Sequence, residues 1–205
     1  MNLSALERAR RIRVILFDVD GVLTDGTIWV YPMPVVMPDG SMTTKMVEAK
    51  GFSAHDGAAM TLARLGGMKI GVITKRISDT VAIRCRDLKL EFVYQGAAFK
   101  MQPVREIMER EGISLDEIAY VGDDVVDLPV MRKVGFAVSV ANARDEVKKD
   151  AHWITPNKGG EGAGRDAIEF ILKAKGVLEQ CIEASIDESN PLPATMDIGK
   201  GGDLK

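Results

Sequence analysis

Two short runs concentrate carboxylates where an apolar segment ends. The first, VILFDVDGVLTDG at residues 14–26, carries Asp18, Asp20 and Asp25, and the second, YVGDDVVD at residues 120–127, carries Asp123, Asp124 and Asp127. Residues two apart on a strand project to the same side, so Asp18 and Asp20 would both face whatever lies beyond the strand's end. Taken alone, either run also suits an Asx-type turn after a strand. Two such ends brought side by side cannot stay uncompensated, because like charges about 4 Å apart repel by roughly 4 kcal/mol at an effective dielectric near 20. Hard oxygen donors without histidine or thiolate select Mg²⁺, which keeps waters and leaves room for a substrate phosphate. A calcium EF-hand loop is excluded, since its sixth and twelfth positions require Gly and Glu where this chain has Leu23 and Trp29. Asp25 suits a turn-closing role as well as a place in the site.

Complementary groups stand further along. Thr74 follows the apolar run KIGVI and precedes a helical pattern starting near Ile77, and a hydroxyl beside a helix N-terminus can seat an anion. Lys100 opens another helical pattern and can meet the same anion from a second side. A cap for Thr74 and a solvated position for Lys100 are the ordinary readings of each residue taken alone. Together, and in this order, they suggest phosphate chemistry.

The elements that must position these groups have the rhythm of an α/β protein. Short apolar runs at residues 13–17, 69–73, 91–94, 118–121 and 136–140 alternate with helical patterns at 57–65, 77–88, 100–111, 124–133 and 163–175. That alternation predicts a central parallel sheet covered on both faces. Ligands bind at the C-terminal ends of such strands. Residues 27–47 break the rhythm with two β-rich arms around Pro38-Asp39-Gly40, predicting a β-hairpin insertion after the first strand. Residues 1–178 read as one domain. From about Glu179 periodic apolar residues stop and Pro, Gly and charge take over, predicting a disordered tail over 179–205.

Composition narrows the function classes. A net charge of −3 with scattered basic residues argues against nucleic acid as a partner. Two cysteines, Cys85 and Cys181, make neither a disulfide framework nor a zinc site and fit a reducing cytoplasm. The first apolar run, about six residues long and ending in aspartate, suits neither a secretory signal nor a membrane span.

The ordered set D-x-D-G-V-L-T-D-G, a strand-ending Thr, a Lys and G-D-D-x-x-D resembles the four motifs of the haloacid dehalogenase superfamily of phosphohydrolases. Within it, the segments KGFSAHDGAAM, GVITKRISDTVAIRC, VYQGAAFK, YVGDDVVDLPVM and GGEGAGRDAIE are most similar to a capless branch acting on sugar-acid phosphates. The resemblance implies a three-layer Rossmann-like core without a cap domain and an aspartyl-phosphate mechanism. Asp18 would be the nucleophile and Asp20 the general acid and base. Mg²⁺ would be held by Asp18, Asp123 and the backbone carbonyl of Asp20. Thr74 and Lys100 would hold the phosphoryl oxygens, and Asp124 and Asp127 would orient metal waters or Lys100. Lys75, Arg76 and Arg165 are candidate contacts to a phosphorylated sugar acid of eight or nine carbons. The branch also implies a homotetramer in which each hairpin closes over a neighbour's site, for which Trp29, Val30, Tyr31, Val35 and Val36 are suitable. Lys75, His55 and Glu161 depart from the branch, where glycine, arginine and arginine are usual, and they bear on which sugar is bound. A phosphatase for another small sugar phosphate and a non-catalytic phosphatase-like assembly module are the alternatives.

Overall fold

The computed structural model describes residues 3–187 and Ser189. Its elements, in chain order, begin with helix α1 (Ala5–Ala9), strand β1 (Val14–Phe17), the arms β2 (Trp29–Val36) and β3 (Met42–Ala49), helix α2 (Ala54–Leu65) and strand β4 (Lys69–Ile73). There follow α3 (Asp79–Asp87), β5 (Phe92–Tyr94), α4 (Met101–Glu111), β6 (Ile118–Gly122), a 3-10 turn at Val125–Asp127 and α5 (Leu128–Met131). The chain then forms β7 (Phe136–Ser139), α6 (Asp145–Asp150), β8 (Trp153–Ile154), α7 (Ala163–Lys175) and α8 (Leu178–Ile186).

Six parallel strands form one sheet in the order β5-β4-β1-β6-β7-β8. β1 lies inside it, between β4 and β6, and all four of its residues are buried. Burial on both faces is why its sequence is a continuous apolar run rather than an alternating one. Helices α1, α2, α7 and α8 pack on one another, and α5 touches α4 and α6, so the sheet is the middle of three layers. The α/β class, the parallel sheet and the hairpin insertion are as expected.

Several boundaries differ from the sequence reading. α2 starts at Ala54, where Ser53 accepts the His55 amide as N-cap. The third helix starts at Asp79 rather than near Ile77, because Ser78 caps it by accepting the Val81 amide. The expected helix over 124–133 divides into the 3-10 turn and α5, with Pro129 in the first turn where its missing N–H is not needed. β8, α1 and α6 had no apolar run long enough to announce them. The expectation of a tail from Glu179 is corrected over its first residues: Leu178, Cys181 and Ile182 share one face of α8 and pack on the core. The rest of the expected tail lies outside the described residues, Asp187 and Ser189 excepted.

Among the described residues the arms β2 and β3 pair only with each other, antiparallel, with Trp29 opposite Ala49 and Val36 opposite Met42. Pro32 and Pro34 are two apart, so both missing amides fall on the same edge of the ribbon. At the tip, the Asp39 carboxylate accepts the Ser41 amide at 2.9 Å and Gly40 takes φ +82°. Trp29, Val30, Tyr31, Met33, Val36, Met42 and Met46 are all at least half exposed. The ribbon thus presents apolar side chains on both faces, Trp29 and Tyr31 stacked on one and Val30 and Val36 on the other.

Candidate active site

Because β1 and β6 are neighbours in register, their C-terminal ends deliver Asp18 and Asp123 side by side, and the Asp18 amide donates to the Val121 carbonyl at 3.0 Å. β4, on the other flank of β1, delivers buried Thr74, whose hydroxyl accepts the Arg76 amide at 3.3 Å. Lys100 stands at the start of α4, its side chain 1% exposed. Its ammonium donates to Asp18 Oδ1 at 2.7 Å, to Asp127 Oδ1 at 2.7 Å and to the Tyr120 hydroxyl at 3.1 Å.

Asp127 is fully employed. Its Oδ1 also accepts from the Tyr120 hydroxyl at 2.8 Å, and its Oδ2 accepts the Asp123 and Asp124 amides at 3.0 and 3.2 Å. The carboxylate therefore shapes the loop after β6 and fixes Lys100. Asp124 is exposed and caps the 3-10 turn through the Val125 amide. Asp25 closes a turn by accepting the amide and hydroxyl of Thr27.

One buried ammonium among three carboxylates leaves an excess of negative charge. Burial, then the charge of Asp127, pushes Asp18 up to about 6 against the opposing pull of Lys100. Asp123 is pushed up to about 7 by burial and by the charges of Asp18, Asp127 and Asp124. Burial alone would lower Lys100, but Asp18 and Asp127 outweigh it and its affinity for a proton rises. Carboxylate oxygens of Asp18, Asp123 and Asp127 lie within 4.8 Å of one another, and Asp123 Oδ1 is buried without a hydrogen-bond partner. Hard oxygens, a deficit of positive charge and an orphaned acceptor suit a small divalent cation between Asp18 and Asp123. Asp127 contributes its charge, not a free oxygen.

Glycines let the loops close on this cluster. Gly21, at φ +88°, lies so near Asp123 that a Cβ there would come 2.2 Å from Asp123 Oδ2. A Cβ on Gly159 would sit 1.8 Å from the Gly21 carbonyl, so the glycine-rich run before α7 packs directly against the loop after β1. Asn142 joins the two loops, donating to the Gly21 carbonyl at 3.3 Å and accepting the Gly159 amide at 2.7 Å. Nothing in its local sequence signalled that role.

Asp20 sits at the mouth, bound to a lysine that the sequence reading missed. Lys50 reaches its Oδ1 at 2.5 Å, and Arg76 Nε lies 3.6 Å from its Oδ2. Glu48 accepts from Arg76 Nη2 and from the Ser78 hydroxyl, each at 2.5 Å. The available signal was the spacing of Glu48 and Lys50, two charges on one side of the chain where the hairpin returns to the core. Arg76 is thus brought to the site and Lys75 stands exposed between it and Thr74. Arg165 is engaged elsewhere: its Nε pairs with Glu169 one turn along α7 at 2.7 Å, and its amide donates to buried Asp56 at 2.8 Å. Burial pushes Asp56 up to about 6. His55 and Glu161 are exposed.

A family model described as haloacid dehalogenase-like hydrolase matches residues 73–164. The chain is 33% identical over 186 residues to the 3-deoxy-D-manno-octulosonate 8-phosphate phosphatase of Escherichia coli, covering 91% of this chain and 93% of that protein. The structure matches the corresponding phosphatase of Moraxella catarrhalis, solved in complex with a magnesium ion, a phosphate ion and a KDO molecule, with a TM-score of 0.76, 31% identity, and 88% and 97% of the two chains covered. The Yersinia pestis phosphatase matches with a TM-score of 0.75 and 32% identity over 85% of this chain and 88% of that one. Likeness at this level runs through nearly the whole of both chains, and the chain belongs to the haloacid dehalogenase-like hydrolases.

Proposed function

We propose that the protein is a Mg²⁺-dependent phosphatase that hydrolyses 3-deoxy-D-manno-octulosonate 8-phosphate to the free sugar acid and phosphate. The observation that carries this reading is the pair Asp18 and Asp123 on adjacent strand ends, one held by Lys100 and the other with an unpartnered buried oxygen. The relatives are named for the eight-carbon substrate, so the nine-carbon and non-catalytic alternatives gain no support from them.

In this reading an Asp18 carboxylate oxygen attacks phosphorus in line, the bond from phosphorus to the sugar oxygen breaks, and an aspartyl-phosphate forms. Asp20 gives its proton to the departing sugar oxygen. It then takes a proton from the water that attacks the aspartyl-phosphate, releasing phosphate and restoring Asp18. Lys100 and Thr74 hold phosphoryl oxygens in the transferable position. Asp18, Asp123 and the Asp20 carbonyl would hold Mg²⁺, which supplies positive charge that lets a carboxylate approach a phosphate dianion. Asp127 keeps Lys100 in place, and exposed Lys75 and Arg76 are candidates to meet the sugar acid, Arg76 being held at the mouth of the site by Glu48, whereas Arg165 is a more remote candidate that Glu169 engages along α7.

The hairpin supports a homotetramer in which its apolar faces cover neighbouring copies, since one chain alone leaves both faces bare. A cytoplasmic location is proposed with it; among the described residues no helix is long and apolar enough to cross a membrane. The deciding experiment measures phosphate release across sugar and sugar-acid phosphates for the native protein and for Asp18→Asn. The expected result is turnover of the eight-carbon acid phosphate and a loss of at least ~10³-fold in the variant. Turnover by the variant at the native rate would overturn the nucleophile assignment.

A further inference from the structure

Four charged side chains from three separate segments close a ring at the mouth of the site. Lys50 reaches Asp20 Oδ1 at 2.5 Å and Glu48 Oε1 at 3.5 Å; Arg76 reaches Glu48 Oε2 at 2.5 Å and lies 3.6 Å from Asp20 Oδ2. Charge alternates around the ring, which joins the loop after β1, the end of β3 and the loop after β4. Its outer links are also tied down: Ser78 donates its hydroxyl to Glu48 at 2.5 Å, and Thr80 donates to the Glu48 carbonyl at 2.9 Å.

We propose that Lys50 is a positioning residue for Asp20, and that Glu48 and Lys50 make the base of the hairpin a working wall of the leaving-group side. Burying an ammonium is costly unless charged partners surround it, and the Lys50 side chain is fully buried. An apolar residue would anchor a hairpin without that cost. The carboxylate that Lys50 grips is the one the proposed chemistry needs for proton transfer. A carboxylate on a short side chain still rotates, and capturing Oδ1 from the hairpin side leaves Oδ2, beside Arg76, as the oxygen turned to the leaving group. Misplacing such a group by about 1 Å can cost about 100-fold in rate.

The inference rests on the assignment of Asp20 as the acid, so its test separates the two. Rates are measured on 3-deoxy-D-manno-octulosonate 8-phosphate, whose alkoxide must be protonated as it leaves, and on p-nitrophenyl phosphate, whose phenolate leaves without help. Asp20→Asn is expected to lose ~10²–10⁴-fold on the sugar ester and far less on the aryl ester. Lys50→Met is expected to follow the same selectivity, losing about 10–100-fold in kcat on the sugar ester and under about 3-fold on the aryl ester, with KM little changed. Lys50→Arg is expected to recover most of the difference. If Lys50→Met does not fold by circular dichroism, Glu48→Gln, which leaves Lys50 in place and weakens the opposite side of the ring, decides by the same selectivity. Selectivity in Asp20→Asn but equal losses, or none, in the Lys50 or Glu48 variant overturns the inference. Equal losses in Asp20→Asn itself overturn the acid assignment beneath it.

Discussion

Withdrawing the divalent ion should change stability in a way that depends on pH with a calculable sign. Asp18 and Asp123 ionise at about 6 and about 7 in the folded protein, above the ordinary aspartate value of 3.8. Between roughly pH 4 and 7 the unfolded chain has therefore released protons that the metal-free fold still holds. Stability of the metal-free protein falls as pH rises through this window and levels off above about 7, with Asp123 alone accounting for up to roughly 4 kcal/mol. Mg²⁺ has to displace those protons. At about pH 8, an ion concentration about 100 times its dissociation constant should stabilise the fold by about 2.7 kcal/mol, raising Tm by about 5–11 °C for a chain of this size. At about pH 5, Asp123 is only about 1% ionised, so affinity falls about 100-fold and the same concentration should yield about 0.4 kcal/mol, near 1 °C. Protonation of Asp18 reduces it further. Differential scanning fluorimetry with EDTA or Mg²⁺ at both pH values reads this directly, and Asp123→Asn should show little response at either. A similar rise in Tm at pH 5 and pH 8, or an undiminished response in Asp123→Asn, would refute a cation held by these two carboxylates.

Lys100→Met should abolish phosphate release and cost about 3–5 kcal/mol in urea denaturation of the metal-free protein at about pH 8, because it strips the buried Asp18 and Asp127 of their shared counter-charge; a cost under about 1 kcal/mol would show that the cluster tolerates the loss. Gly21→Ala should destabilise by about 1–2 kcal/mol from its left-handed backbone alone and should also blunt the Mg²⁺ response, since the added Cβ falls 2.2 Å from Asp123 Oδ2. A normal Mg²⁺-induced shift in that variant would contradict the close approach. Trp29→Ser with Tyr31→Ser, removing the stacked pair from one hairpin face, should leave the far-ultraviolet circular dichroism intact and lower the mass seen by sedimentation; an unchanged mass would dissociate the hairpin from assembly.

Much of this protein is written locally. The run VILF could only be a strand buried on both faces, and aspartates at its end, with a second acidic group after IAYVG, already demanded a cation and a sheet to bring them together. Thr74 and Lys100 were legible because each stands where a strand gives way to a helix. Ser78 and Leu178 mark the limit of such reading: a cap depends on which hydroxyl finds an amide, and α8 depends on three apolar residues that matter only once α2 and α7 offer a surface. What tertiary structure alone decided is how the charges are shared. Asp124 and Asp127 are near neighbours in one acidic run, yet one caps a turn in solvent and the other is buried under four contacts, an ion pair to Lys100 and hydrogen bonds from Tyr120 and two amides. Lys50 reaches Asp20 across thirty residues, and Asn142 reaches Gly21 across a longer span. Local sequence sets what a side chain is able to do, through its chemistry and its place on a strand or helix; which partner it meets across the fold is set by strand order and packing, which no short segment contains.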